Sequence, residues 1–258
     1  MSLRARGVLA ALLVSTVAAG CTSVSTDPQV PLSLQFDSLP ALAVVVGDTM
    51  RGGDLQPARV PAVAYNAAGG VLPDTQVRLV GIDPVSVNAF RQLSGLLITG
   101  RLVTPMVRVV AQAGAVQSQT QTFAVVAVPT ALSRTAADAT DSLVYNGLDT
   151  STRFVDTRAR VLAGTTPLNG LRVRFRVVSI PTAIVDSVRL VNASSGRTVA
   201  SVLTASDAAT IRLKAYAKPA VNITGTVTLE ASIRARGTHV PGSPLQFTVR
   251  LVPFSLAP

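Results

Sequence analysis

The chain predicts an all-β protein, two tandem antiparallel β-sandwiches behind an N-terminal export signal. Three observations carry that prediction. From residue 33 onward the apolar residues fall in short runs, with turn signals of Gly, Pro, Asn or Ser about every 8–12 residues. Val, Ala, Thr, Leu and Ser dominate, while Glu occurs once and Lys twice, so the alphabet suits strands and lacks the usual surface helix formers. Past the N-terminus no segment keeps apolar residues at i, i+3, i+4 and i+7 for three turns, so no long helix is expected.

The N-terminus comes first. Residues 1–7 carry Arg4 and Arg6 and no acid, residues 8–19 are apolar or small, and Gly20 and Cys21 follow. A charged start, a short apolar core and a small-residue exit are the parts of a secretory signal peptide. At 1.5 Å per residue the run spans roughly 18 Å, short of the ~30 Å hydrocarbon core, so it does not read as a permanent span. Ala19-Gly20-Cys21 resembles the lipobox of bacterial lipoproteins, whose signal peptidase cuts before the cysteine. The resemblance implies a signal peptide over 1–20, lipidation at Cys21 and a tether over 21–32. An ordinary secreted protein is the alternative, because Ala18-Ala19-Gly20 also suits the general signal peptidase. One acyl chain holds a protein only marginally and two or more hold it stably, so the resemblance implies lasting membrane attachment. Thr22 is not the Asp that retains some lipoproteins in the inner membrane. The expected place is the cell envelope, at the outer membrane.

Removing residues 1–20 leaves 238 residues, enough for two ordinary domains. Cys21 is the only cysteine, so no disulfide is available and the cores must hold the fold. The formal charge is +10, falling to +8 without Arg4 and Arg6, and nearly all of it is Arg. Such a surface suits anionic partners. Outside the cytoplasm nucleic acid is not among them, and anionic glycan, lipopolysaccharide and phospholipid headgroups are.

The first sandwich is expected over 33–128. Its strands are 33–36, 41–46, 60–66, 76–80, 85–90, 96–99, 107–111 and 119–128. Val77 and Leu79 alternate on one face, as do Val107, Val109 and Ala111. Val46-Gly47-Asp48-Thr49, Ala64-Tyr65-Asn66 before Gly-Gly, and the hairpin VRVVAQAGAVQSQTQTFAVV resemble bacterial immunoglobulin-like domains of the group 2 type.

The second sandwich is expected over 129–258. Residues 130–140 have no periodicity and read as a strand edge or a loop. Strands follow at 142–145, 158–162, 171–178, 187–191, 198–204, 210–217, 226–234 and 245–251. The cleanest alternation is 171–178, with Val173, Phe175 and Val177 on one face and Arg172, Arg174 and Arg176 on the other. PLNGLRVRFRVVS and VLTASDAATIRLKA resemble the group 1 bacterial immunoglobulin-like domains of invasin- and intimin-type adhesins, with Ala208 where a Gly is common. Both resemblances imply immunoglobulin-like sandwiches with alternating residues filling the space between two sheets.

Catalytic chemistry is poorly provided for. One His and one Cys leave no zinc set and imply no metal or other cofactor. Asp138 and Asp141 are the closest acid pair and read as solvated loop acids. No Gly-x-Ser-x-Gly elbow exists, His239 sits in the loop RGTHVPG, and Glu230 falls on a polar strand face without an identifiable partner. The expectation is a protein that is not an enzyme.

One constellation suggests a ligand. Arg158 and Arg160 point outward on a strand expected to pair with the one carrying Arg172, Arg174 and Arg176. Arg212 and Lys214 point outward on 210–217, and Arg250 does so on the last strand. In an immunoglobulin-type sandwich the third, sixth and seventh strands share a sheet, so these eight cations are expected on one basic face. Like charges opposite each other destabilise a sheet, so a bound anion or nearby acids must compensate. The alternative is that the arginines only keep the sandwich soluble and its edges unpaired. By analogy with the families, the expected role is a non-catalytic envelope interaction or adhesion module. Binding of anionic glycan or lipopolysaccharide, or docking in an envelope assembly by strand addition, are the other readings.

Overall fold

The computed structural model describes residues 27–135, 141–145, 154–218, 221 and 223–253. The signal peptide, Cys21 and Asp138 lie outside the described residues.

The first half comprises β1 (Ser33–Gln35), β2 (Ala43–Val45), β3 (Val63–Tyr65), β4 (Arg78–Gly81), α1 (Pro84–Ala89), β5 (Phe90–Leu93), β6 (Leu96–Thr99), β7 (Thr104–Ala113), β8 (Val116–Gln117) and β9 (Gln121–Val126). Its main sheet runs β2-β9-β7-β4, with β8 on β7, and β1-β3 and β5-β6 form two small sheets. Val107, Val109 and Ala111 of β7 are fully buried, as their alternation predicts, and pack with Phe123, Val125, Met50 and Leu97.

The strand expected at 85–90 is a helix instead, followed by a strand. Asp83 caps α1: its Oδ1 accepts from the Ser86 N–H at 2.8 Å and its Oδ2 from the Ser86 hydroxyl at 2.9 Å. Pro84 opens the first turn, where its missing N–H costs nothing. Alternating Val85 and Val87 look like a strand, but both are exposed and the cap decides the local structure.

Asp83 also accepts from Arg108 Nε at 2.9 Å, tying α1 to β7. Chiefly the Ser86 backbone N–H, then its hydroxyl and Arg108, hold the Asp83 carboxyl below its ordinary range. A carboxyl depressed in the fold stabilises fully above its unfolded pKa of about 3.9 and loses that contribution as pH falls through the folded value. The Ser86 amide-proton shift is therefore expected to titrate with a midpoint below about 3.9, and Asp83→Asn to abolish that titration in an NMR series.

The second half comprises β10 (Ala131–Arg134), β11 (Asp141–Tyr145), β12 (Phe154–Ala163), β13 (Thr166–Pro167), β14 (Arg172–Ser179), β15 (Val185–Asn192), β16 (Ser201–Leu203), β17 (Ala209–Ala217), β18 (Gly225–Ser232), β19 (Arg234–Ala235), β20 (Thr238–His239) and β21 (Leu245–Pro253). One sheet runs β10-β12-β17-β15 with β13 on β12, the other runs β11-β21-β18-β14-β16, and β19-β20 is a hairpin. Ala159, Val161, Ile211 and Leu213 of the first sheet meet Val173, Phe175, Leu229 and Phe247 of the second in one core. The fold is all-β, with sandwich-like sheets in two halves in tandem. Each half departs from pure antiparallel pairing once, at β2–β9 and at β11–β21.

No ladder among the described residues joins a strand of one half to a strand of the other, yet β2 belongs to both cores. Val44 packs in the core of the first half, while Ala43 and Val45 pack in the core of the second. Period-two alternation makes this possible, because a strand with both faces covered serves a different core on each. Ala124 and Val126 of β9 also pack against the second core.

Candidate functional site

The structure divides the eight expected cations between two sheets. Arg158, Arg160, Arg212 and Lys214 lie on β12 and β17, and Arg172, Arg174, Arg176 and Arg250 on β14 and β21. The expectation of one basic face is therefore corrected, as is the pairing of β12 with β14. β12 pairs with β10, β13 and β17, while β14 pairs with β18 and β16. The connection after β13 carries the chain across the sandwich rather than back along the same sheet. Alternation gives the face of a strand but not its sheet.

Acids compensate several of these charges. Arg176 and Glu230 are cross-strand partners, joined by two hydrogen bonds of 2.9 and 3.0 Å. Those bonds raise the Arg176 pKa, and they supply the partner that Glu230 lacks in the sequence. Arg212 and Asp156 pair in the same way at 2.7 and 3.0 Å. Arg160 reaches Asp207 at 2.5 Å. Exposed pairs of this kind are each worth about 0–1 kcal/mol, so they neutralise the surface more than they stabilise it.

Arg172 has a different task. It lies half-buried, and burial lowers its pKa. Its Nε donates to the Pro40 carbonyl at 2.9 Å, a second guanidinium nitrogen donates to the same oxygen, and a third reaches Ser201 Oγ at 3.2 Å. Pro40 precedes β2, so this arginine clamps the second half onto the first. Its outward direction faces the other sandwich, not solvent.

Asp48 is the centre of that joint and is 7% exposed. It accepts from the Thr49 N–H at 2.7 Å, from Arg51 at 2.8 and 3.1 Å, and from the Arg236 N–H at 2.7 Å. The Arg236 side chain adds two hydrogen bonds to the Val46 carbonyl, at 2.8 and 3.0 Å. Gly170 completes the contact. Its carbonyl accepts from the Ala43 N–H at 2.9 Å, its φ is +78°, and a Cβ there would stand 3.0 Å from the Ala43 backbone nitrogen. Only glycine combines that conformation with that approach. The motif Val46-Gly47-Asp48-Thr49 marks this place in the sequence, but nothing nearby announces Arg236, which is 188 residues from Asp48.

Three of the sheet edges are wholly or partly occupied. The outer edge of β2 is bound to Gly170. That of β4 is closed by Gln92, whose Oε1 accepts from the Leu79 N–H at 2.6 Å. On β15, Asn192 donates to the Arg197 carbonyl and Leu190 accepts from the Val199 N–H. The remaining stretch, residues 185–189, holds a register shift and the exposed Asp186, both features that discourage edge pairing.

His239 lies exposed on the β19–β20 hairpin, with Nδ1 3.2 Å from Ser243 Oγ. Among the described residues no three His, Cys, Asp or Glu side chains are grouped to hold a metal. No described helix is long and apolar enough to cross a membrane.

No protein-family model and no curated protein matches the chain. Among solved structures it is similar to the Yersinia pseudotuberculosis adhesin InvE, at 11% identity and a TM-score of 0.35, covering 85% of this chain and 60% of that one. The D00-D0 domain of intimin matches at 14% identity and a TM-score of 0.29, covering 85% of this chain and 98% of that one. An S-layer protein, rSbsC, matches at 11% identity and a TM-score of 0.29, covering 88% of this chain and 28% of that one. The chain thus spans 60% of the InvE chain and 28% of the S-layer chain.

Proposed function

We propose that this chain is a non-catalytic, lipid-anchored protein of the cell envelope whose two sandwiches act as one interaction or adhesion module. Cys21 is the anchor and residues 21–32 are the tether. The observation that carries the reading is the joint. Asp48, Arg172, Arg236 and Gly170 fix one sandwich against the other, where an enzyme built between two domains needs an open cleft there. The cavity at this joint measures about 20 Å³, room for about one water molecule. A rigid pair on a lipid tether suits the presentation of a surface to a partner. The occupied edges of β2 and β4 favour a partner that meets a sheet face over one that adds a strand.

Cross-linking on intact cells followed by mass spectrometry tests this reading. The expected result is recovery of peptides from envelope components joined to the sandwich surface. Recovery joined only to cytoplasmic proteins contradicts it.

A further inference from the structure

The sheet face around Lys214 is built differently from the rest of the surface. Lys214 stands at the centre of β17, with Phe154 of β12 directly opposite on one side and Arg189 of β15 directly opposite on the other. Arg189 and Lys214 are thus a like-charged cross-strand pair, an arrangement that costs stability. Asp156, the cross-strand partner of Arg212, is taken by Arg212 in a two-bond pair. No ion pair to Arg189 or Lys214 occurs among the described residues.

Aromatic rings flank the cations. The Arg212 guanidinium lies 3.6 Å from the Phe154 ring centroid, and that of Arg189 lies 5.2 Å from the Tyr216 centroid. Phe154 is 48% exposed. The chain has only ten aromatic residues, no Trp among them, and two of them border this one outward face. Arg158, exposed, continues the face along β12.

We propose that the outward face of β12, β17 and β15 around Lys214 binds acidic saccharides. Lys214 and Arg189 receive a ring carboxylate, which relieves their mutual repulsion. Phe154, half exposed beside the Arg212 guanidinium, offers apolar surface to the sugar ring. A lipid headgroup is the weaker fit, because insertion needs protruding aliphatic side chains. Most of the exposed ones lie on the other half of the molecule, among them Ile82, Val85, Val87, Leu102, Val103 and Met106. The site names a ligand class for the envelope module. Its test in solution does not depend on anchoring or location, so the two readings fail separately.

The probe is polygalacturonate, titrated calorimetrically into the purified full chain at low salt, with neutral dextran and anionic phospholipid vesicles alongside. The expected result is binding of polygalacturonate alone, weakening as salt rises. Lys214→Gln with Arg189→Gln is expected to weaken it by about tenfold or more, and Arg174→Gln with Arg250→Gln, which removes equal charge from the opposite sheet, by less than about twofold. Thermal melts of both pairs control for folding, since all four side chains point away from the core. Equal losses from both pairs, tighter binding to the vesicles, or no binding of polygalacturonate by the unaltered chain overturns the proposal.

Discussion

Cys21→Ser is expected to move the protein from the membrane fraction to the soluble fraction almost completely. The physical reason lies in the additive hydrophobic transfer of acyl chains. Each buried methylene contributes about 0.8 kcal/mol, so one chain gives marginal attachment and two give a lasting one. No described helix is long and apolar enough to cross a membrane. Fractionation of cells by ultracentrifugation, together with fatty-acid labelling, checks it. Labelled, membrane-bound protein is expected from the natural chain, and unlabelled soluble protein from the variant. A Cys21→Ser chain that stays in the membrane contradicts the lipid anchor.

Asp48→Ala is expected to have the largest effect on the folded part. Asp48 is buried and satisfies four donors, two of them on Arg51, whose side chain is only 12% exposed. Removing one partner of a buried pair leaves the other charge uncompensated and costs about 3–5 kcal/mol. The Arg236 N–H also loses its acceptor, which adds to the cost. A drop of about 10 °C or more in melting temperature follows for a chain of this length. Because Arg236 belongs to the second half and Arg51 to the first, the variant is also expected to melt in two steps where the natural chain melts in one. Calorimetry reads both. Arg176→Gln, which breaks an exposed pair, is the matched comparison and is expected to shift melting little.

Much of the fold is legible from short-range pattern. Val173 and Phe175 between Arg172, Arg174 and Arg176 announce a half-buried strand, and both apolar residues are buried as that pattern requires. The same rule misreads residues 85–90, where β-branched residues alternate but the Asp83-Pro84 start sets a helix. Sheet membership is not legible at all from such patterns. β12 and β14 are separated by a short loop and a two-residue strand, and their own alternation is equally consistent with pairing and with crossing to the other sheet. That ambiguity is why Arg158 and Arg172 look like neighbours in the sequence and stand on different sheets in the structure.

The joint was hidden for a related reason. Arg172 obeys its alternation and points outward, but the neighbouring sandwich occupies the space it points into. β2 reads as a short apolar run, and three consecutive buried residues in it give no hint that two cores share it. Around Lys214 the cations themselves are visible in the sequence, whereas Arg189 and Phe154 are brought to them only by strand register.

The shared strand and its polar clamp are expected to hold the two sandwiches in one fixed arrangement, and a distance measurement tests that most directly. Spin labels at Ala68→Cys and Ser195→Cys, both in exposed turns, place one probe in each half of a Cys21→Ser chain. Double electron–electron resonance is expected to give a single narrow distance distribution, broadened when Asp48→Ala and Arg172→Ala are added. A broad distribution in the unclamped and clamped chains alike contradicts a fixed joint, and leaves two sandwiches moving independently on a linker.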